Sequence, residues 1–149
     1  MKALSTLLLL ASFAAHAQSP KPDFSGTWVL NLQKSRLEDM SESFTGSRFI
    51  IEQQGDKLTL TRYHYYGKKK NRIRFHMQAD GKVRKVKILF RGKLEWQEQE
   101  LLSTLWRKNF NNVVRYRFGS SSDEFIADEV FKGLPQDHHN IWVFDRVKP

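Results

Sequence analysis

The stretch FSGTWVLN, residues 24–31, carries the most information about how this chain folds. It combines aromatic and β-branched residues, which favour an extended strand. It also follows Pro20 and Pro22, which mark the end of an irregular segment. Gly26 has no side chain, so another backbone can pass close to the strand there. Trp28 supplies a large apolar group, and the stretch therefore predicts a first strand with one buried face.

Apolar and polar residues alternate with a period of two along most of the chain beyond this strand. The turn dipeptides Gly55-Asp56 and Asp80-Gly81 separate several of the alternating runs. The predicted strands are residues 24–32, 47–54, 57–66, 71–79, 82–90, 94–102, 113–118, 124–131 and 140–147. Short strands joined by tight turns predict an all-β fold. We expect a closed or nearly closed antiparallel up-and-down β-barrel of eight to ten strands, because closure removes exposed strand edges.

Four segments depart from the simple alternation. Residues 33–45 are polar, which indicates a connection with at most a helical turn. Residues 67–71 and 91–93 are predicted to reverse the chain. The alternation slips near Ser103, and this slip predicts a bulge or a short loop.

Residues 1–17 are predicted to be a signal peptide. A positive start and a short apolar stretch, Leu4–Ala15, precede an A-x-A cleavage pattern that ends at Ala17. A transmembrane helix needs about 20 apolar residues, so this stretch is short for a permanent anchor. We therefore expect an exported protein, periplasmic or secreted, that is not integral to a membrane after cleavage. Residues 18–23 would form an N-terminal extension, and residues 24–149 the barrel domain.

The composition and motifs exclude several kinds of site. The chain has no cysteine, so it forms no disulfide or thiolate metal site and has no cysteine nucleophile. The sequence motifs of serine hydrolases, zinc proteases, P-loop proteins and dinucleotide-binding enzymes do not occur. The histidines show no spacing that brings three metal ligands together. We therefore predict a non-enzymatic protein with no catalytic residue, no metal site and no cofactor.

Positive charge is concentrated in the middle of the chain. The formal net charge is +9, and residues 62–93 contain 12 Lys and Arg but a single acid, Asp80. Such segregation builds a local positive field and favours an anionic partner. We predict a basic patch on the outer face of neighbouring strands, formed by Lys68, Lys69, Lys70, Arg72, Arg74, Lys85 and Lys87. Its partner would be lipopolysaccharide, an acidic polysaccharide or a nucleic acid; an outer face that merely keeps its cations in solvent is the alternative.

The two ends of the chain resemble one group of proteins. Gly26-Thr27-Trp28 is similar to the G-x-W mark of the first strand in calycin barrels, which include the lipocalins and the fatty-acid-binding proteins. LNLQKS at 30–35 and WVFDR at 142–146 resemble the opening and closing segments of bacterial exported lipocalin-like domain proteins. The resemblance implies that Arg146 packs across Trp28 and closes the base of the barrel. The T-D-Y motif of lipocalins and the helix pair of fatty-acid-binding proteins are not evident.

The resemblance also implies that the barrel binds a small amphipathic or anionic ligand. The ligand tail would contact apolar wall residues, for which the candidates are Phe49, Ile51, Phe75, Ile88 and Phe90. An inward arginine beside a tyrosine hydroxyl would hold a carboxylate, and the candidates are Arg115, Tyr116 and Arg117. The sequence leaves open which strand face lines the barrel at these arginines and at Arg62.

A monomeric binding protein is thus the main interpretation. A surface binder of polyanions through residues 62–93 is a second interpretation, and an enzyme on the same scaffold is a third, because a fold does not determine a function.

Overall fold

The computed structural model describes residues 20–38 and 40–148, so the predicted signal peptide lies outside the described residues. The described residues form ten strands in one sheet. The strands are β1 (Gly26–Leu30), β2 (Phe44–Gln54), β3 (Lys57–Tyr66), β4 (Lys69–Gln78), β5 (Arg84–Lys87), β6 (Phe90–Gln97), β7 (Glu100–Arg107), β8 (Phe110–Phe118), β9 (Glu124–Gly133) and β10 (His138–Arg146).

The sheet is an antiparallel up-and-down meander that curls on itself. The strand order is β4-β3-β2-β1-β10-β9-β8-β7-β6-β5, so the first strand pairs with both the second and the last. Strands β4 and β5 are the two edges, and they do not pair with each other. The result is a strongly curled, nearly closed barrel with one seam between β4 and β5. The all-β barrel predicted from the sequence is confirmed.

Because successive strands run in opposite directions, the turns fall alternately at the two ends of the barrel. One end, the base, carries the connections 55–56, 79–83, 98–99 and 119–123. The other end, the rim, carries the connections 31–38 with 40–43, 67–68, 88–89, 108–109 and 134–137.

Large aromatic side chains fill the base. Phe24, Trp28, Phe125 and Phe144 are each at most 1% exposed. The Trp28 ring centroid lies 5.3 Å from that of Phe125, and the Phe24 ring lies 5.4 Å from the same phenylalanine. The Trp28 indole donates from Nε1 to the Phe24 carbonyl oxygen (3.0 Å), so its single polar atom is satisfied inside the core.

Arg146 covers this core from the last strand. Its Cζ lies 4.1 Å from the centroid of the Trp28 ring, and the two residues pair across β1 and β10. Its Nη1 donates to the Ser25 carbonyl oxygen (2.7 Å), and its Nη2 donates to that of Ser122 (3.0 Å). A Cβ at Gly26 would lie 2.5 Å from Nη1, and the φ of Gly26 is 144°, so the position requires glycine. The contact implied by the family resemblance is therefore present.

The predicted strand 82–90 is wrong. Only β5, Arg84–Lys87, is extended, and a turn follows at Ile88-Leu89. Residues 91–93, predicted to reverse the chain, lie inside β6 instead. The turn contains none of the Gly, Asn or Asp residues that usually mark a tight reversal, so no local sequence signal predicts it.

The predicted strand 94–102 and the slip at Ser103 are wrong as well. The chain turns at Glu98-Gln99, where Glu98 has a φ of 56°, and β7 then continues through Ser103 without a register shift. A glutamate in the left-handed region is uncommon, so alternation alone could not locate this turn.

The connection between β1 and β2 continues to pair with β10 beyond the end of β1. Arg36 forms an isolated antiparallel bridge with Ile141, and the Ser35 hydroxyl oxygen accepts a hydrogen bond from Val143 N (2.9 Å). Residues 32–34 form a turn, and no helix occurs among residues 20–38 and 40–148. In that part of the chain, no helix is therefore available to cross a bilayer.

Candidate ligand-binding site

The barrel encloses a cavity of about 410 Å³ between the base core and the rim. Small-molecule sites typically have volumes of about 300–1,000 Å³. Much of the wall is apolar, and the side chains responsible are Phe49, Leu60, Phe75, Met77, Val114 and Ala127. They occupy alternate positions of their strands, so each points inward while its neighbours point outward.

One side of the cavity is polar and is organised by Glu129 of β9. The carboxylate accepts hydrogen bonds from Asn112 Nδ2 (2.7 Å), Trp142 Nε1 (2.8 Å) and Asn140 Nδ2 (3.1 Å). All three donors are neutral, and Glu129 forms no ion pair within residues 20–38 and 40–148. Neutral dipoles therefore hold this carboxylate in one position.

Arg62 enters the same cavity from β3. It lies at an alternate position with the buried residues Leu58 and Leu60, which places it on the inward face. Its Nε is buried and has no hydrogen-bond partner in the described part of the chain, and no ion pair involves the guanidinium there. A cation taken out of water without a paired anion is unfavourable, so this group attracts an anionic ligand.

His64 lies two residues farther along β3, toward the rim. Its side chain is buried, and its ring stacks on Trp142 with centroids 5.6 Å apart. Burial lowers the pKa of His64 to about 4; the charge of Arg62 adds to this effect, and that of Glu129 opposes it. The imidazole is therefore neutral at neutral pH, and its Nδ1 has no hydrogen-bond partner among the described residues.

Tyr116 and Asn112 complete the polar side from β8. Burial raises the pKa of the Tyr116 phenol, and the charge of Glu129 raises it further, so the hydroxyl stays protonated. The Tyr116 ring stacks on Phe125 with centroids 5.7 Å apart. The Asn112 Oδ1 atom is buried and accepts no hydrogen bond from a described residue. The cavity thus offers Arg62 as a charged donor and Asn112 as an unused acceptor.

Cations surround the cavity where it reaches the seam. The cations that line the cavity are Arg74, Lys82, Arg84, Lys85 and Lys87 beside the seam, and Lys93 of β6. Arg84 donates to both carboxylate oxygens of Asp80 (2.6 Å each), and this pairing holds the pKa of Asp80 well below its usual range. Within the described chain, Lys82, Lys85 and Lys87 form no ion pair. The seam is therefore a positively charged approach to the cavity.

Three of the residues predicted to contact a ligand line the cavity: Phe49, Phe75 and Tyr116. Ile51 is buried in the base core and does not contribute to the cavity wall. The prediction for Ile88 is wrong, because it lies in the β5–β6 turn and is 86% exposed. Phe90 packs at the rim against Phe110, with ring centroids 5.2 Å apart, and its prediction as a wall residue is also wrong.

Arg115 and Arg117 point away from the cavity, so neither of these two candidate residues can contact a ligand inside it. Arg115 Nη1 donates to Glu100 Oε2 (3.2 Å), and Arg117 Nε lies 3.9 Å from Glu100 Oε1. Because side chains alternate along β8, an inward Tyr116 places both neighbours outside. Arg62 of β3 enters the cavity instead.

The predicted basic patch is divided by the seam. Its seven residues are all exposed, but β4 does not pair with β5, so Lys85 and Lys87 are not on a continuous sheet surface with the others. Lys70 Nζ lies 5.3 Å from the centroid of the Tyr63 ring, and Arg74 pairs with Glu52 (3.5 Å). The expected continuous surface is wrong, and a polyanion partner stays a prediction.

Sequence reasoning missed Glu129 and its donors as a connected set. The signal was present in the alternation of β9, where Glu129 shares an inward face with Phe125 and Ala127. An acid in a row of buried residues needs donors, and the matching row of β10 provides Asn140 and Trp142.

Solved structures share this architecture. A single-site mutant of the fluorescent protein UnaG matches with a TM-score of 0.60 and 12% identity, over 85% of this chain and 97% of the other. Fatty-acid-binding protein 1 of Echinococcus granulosus matches with a TM-score of 0.59 and 14% identity, over 84% and 98%. The chain has the fold of the fatty-acid-binding proteins. Zebrafish ileal bile acid-binding protein, solved with cholic acid, also matches, with a TM-score of 0.55 and 15% identity over 83% and 98%.

The likeness to these proteins lies in the fold and not in the sequence. No protein-family model matches the chain, and no curated protein matches it either. The resemblance to bacterial exported lipocalin-like proteins therefore stays a prediction. Within the described residues, the chain reaches the fatty-acid-binding fold without the helix pair that is associated with it.

Proposed function

We propose that this chain is a non-enzymatic binding protein that holds a small amphipathic ligand with one anionic group inside the barrel. The observation that carries the proposal is the inward guanidinium of Arg62, whose buried Nε has no partner, in a cavity with a largely apolar wall. The names of two proteins with the same fold, a fatty-acid-binding protein and a bile acid-binding protein, support a ligand of this class.

Each part of such a ligand has a matching part of the cavity. A carboxylate would accept charge-assisted hydrogen bonds from Arg62. A hydroxyl elsewhere on the ligand would donate to Asn112 Oδ1 and so satisfy the unused acceptor. The apolar body would lie against Phe49 and Phe75.

The charges around the cavity limit the ligand further. The cations of the seam attract an anion from solution, because a charged opening concentrates ligands of the opposite sign. Inside, the carboxylate of Glu129 repels a second anionic group. We therefore expect monoanions to bind better than dianions of the same length.

Displacement of anilinonaphthalene sulfonate from the barrel tests the proposal. Palmitate and methyl palmitate have the same apolar tail, so the difference between their affinities measures how much the negative charge contributes to binding. We expect palmitate to displace the dye from the wild-type protein. Arg62→Met should lower the affinity for palmitate by about tenfold to a hundredfold, which is the usual effect of losing a hydrogen bond to a charged group. The affinity of methyl palmitate should not change.

Arg117→Met is the matched control, since it removes the same group from the outer face of β8. It should leave both affinities unchanged. Equal affinities of the acid and the ester for the wild-type protein, or an equal loss in both variants, would contradict an anionic anchor at Arg62. Retained urea midpoints in both variants show that the comparison concerns binding and not folding.

Export as a monomer belongs to the same proposal. Expression of the full chain in a bacterium should yield a periplasmic or secreted protein whose mass corresponds to a start at Gln18. Sedimentation should give the mass of one chain. Recovery from the cytoplasm with Met1 retained would contradict export. The binding proposal would be unaffected, because the displacement experiment tests it separately.

A further inference from the structure

The rim carries the three most exposed large apolar side chains of the described residues. Ile88 and Leu89, in the β5–β6 turn, are 86% and 69% exposed, and Leu134, in the β9–β10 connection, is 77% exposed. Each lies beyond the last strand pair of its hairpin, so none of them contributes to the barrel core. Large apolar groups collected at one end of a protein indicate a contact surface.

The strand register places these tips side by side. Lys87 pairs with Phe90 across β5 and β6, and Arg107 pairs with Phe110 across β7 and β8. Arg91 pairs with Trp106 across β6 and β7, and Phe110 pairs with Gly133 of β9, so adjoining pairs link the five strands from β5 to β9 at this end of the barrel. Neighbouring strands are about 4.8 Å apart, so the five strands span about 19 Å and the tips project from the same edge.

Residues 87–91, 107–110 and 132–135 together form what we call the three-tip face. It contains five cations and no acid; the cations are Lys87, Arg91, Arg107, Lys108 and Lys132. Within the described chain, none of the five forms an ion pair. The acid that follows the third tip, Asp137, accepts a hydrogen bond from Gly133 N (2.9 Å). The face is therefore apolar at its tips and positively charged around them.

A shallow groove lies between the second and third tips. Trp106, Arg107, Lys132 and Leu134 line it. Tryptophan is enriched where proteins meet the headgroup layer of a membrane. With Lys93 and Phe110, which also line it, the groove combines three cations and two aromatic side chains beside an exposed leucine.

We propose that the three-tip face docks on the surface of an anionic lipid bilayer. Ile88, Leu89 and Leu134 would enter the boundary of the acyl chains, and the five cations would contact headgroup phosphates. A second copy of this chain fits the face poorly, because a twofold contact would set the same cations opposite each other. A nucleic acid or polysaccharide has no apolar layer to receive the three tips. The inference does not depend on a ligand in the barrel.

Flotation with lipid vesicles tests the inference. The full chain is expressed, its N-terminus is determined by mass spectrometry, and all variants share that N-terminus. The wild-type protein should float with vesicles of phosphatidylcholine and phosphatidylglycerol, and much less with phosphatidylcholine alone. Ile88→Ser, Leu89→Ser and Leu134→Ser combined should weaken vesicle binding by about tenfold or more, because the three tips provide the buried apolar area.

A second variant tests the contribution of the cations separately from that of the apolar tips. Lys87→Gln with Lys108→Gln should weaken vesicle binding at low salt by about fivefold for each lysine. Lys57→Gln with Lys148→Gln, and Val29→Ser with Val147→Ser, are the matched controls, since they change exposed residues away from the tips. Neither control should reduce flotation.

The remaining outcomes overturn the proposal. Equal flotation of the wild-type protein and the serine variant would show that the apolar tips do not enter the bilayer. Heparin binding lost in the lysine variant, with flotation unchanged in the serine variant, would make the face a polyanion surface. A dimer that dissociates in the serine variant would assign the tips to a second copy of the chain.

Discussion

The base of the barrel and the polar side of its cavity both combine aromatic rings with an arginine, but they differ in how the polar groups are satisfied. At the base, the Trp28 indole and the Arg146 guanidinium donate to backbone carbonyls and stack on each other. In the cavity, Arg62 Nε and His64 Nδ1 are buried without partners among the described residues. Satisfied groups stabilise a fold, whereas unsatisfied buried groups reduce stability unless a ligand supplies the missing partner. The base should therefore determine stability, and the polar side should determine binding.

Removal of the Trp28 ring should cause the largest loss of stability. Trp28→Ala leaves a cavity below Arg146 and exposes the rings of the base, so we expect the free energy of unfolding to fall by about 3–5 kcal/mol. Urea unfolding followed by tryptophan emission measures the change. Trp106→Ala, a half-exposed site on the outer face of β7, is the control and should cost far less. Equal losses would show that the base has no special role in stability.

The unfavourable burial of His64 should appear as a pH dependence of stability. Its pKa is about 4 in the folded chain and about 6.5 in an unfolded one, so between these values the unfolded state binds more protons. Stability should therefore fall as the pH decreases from 6.5 to 4, by at most about 3 kcal/mol. His64→Phe should remove this slope, as measured by urea midpoints at several pH values. His76→Gln, on the outer face of β4, should retain it, and a slope that survives His64→Phe would assign the effect to other groups.

Loss of the planar guanidinium of Arg146 should reduce stability less than the two changes above. Arg146→Lys keeps the charge but loses hydrogen bonds to two carbonyls and the flat contact with Trp28. We expect a loss of about 1–2 kcal/mol in chemical unfolding. Arg115→Lys at the surface of β8 should change stability by less than about 0.5 kcal/mol. An unchanged midpoint in Arg146→Lys would show that the contact of the guanidinium with the Trp28 ring adds no stability beyond that of the positive charge.

The smallest change in stability is expected at Arg62, although its effect on binding is large. Arg62→Met removes an unpaired cation from the cavity and fills its place with an apolar side chain, so stability should change by less than about 1 kcal/mol and not necessarily downward. Thermal unfolding without added ligand measures this. A loss as large as that from Trp28→Ala would show that Arg62 belongs to the structural framework.

The fold was largely readable from the sequence, because its signals are local. Alternation predicted β3 correctly, and the turn dipeptide Gly55-Asp56 located its start. The turns at Ile88-Leu89 and Glu98-Gln99 were missed, because their residues give no local sign of reversal. Their positions are determined by pairing with neighbouring strands, which a single sequence does not display.

The candidate site was less readable, because it depends on which face of each strand is inward. A slip of one residue exchanges the two faces, so the choice between Tyr116 and its arginine neighbours required the pairing of β8 with β9. For Arg62, the alternation with Leu58 and Leu60 indicated an inward side chain. The link from Glu129 to Asn112 joins two strands and could not be inferred from spacing along either one.

The unpaired edges on the two sides of the seam have a consequence for self-association. A free strand edge is a template on which another chain can add a strand and begin an amyloid-like stack. Here β4 and β5 together carry seven cations, namely Lys69, Lys70, Arg72, Arg74, Arg84, Lys85 and Lys87. Like charges at both edges repel any second copy that approaches edge to edge. The charge density of this region therefore opposes fibril growth even with no partner bound. Salt at about 1 M, where the screening length is about 3 Å, should weaken that protection.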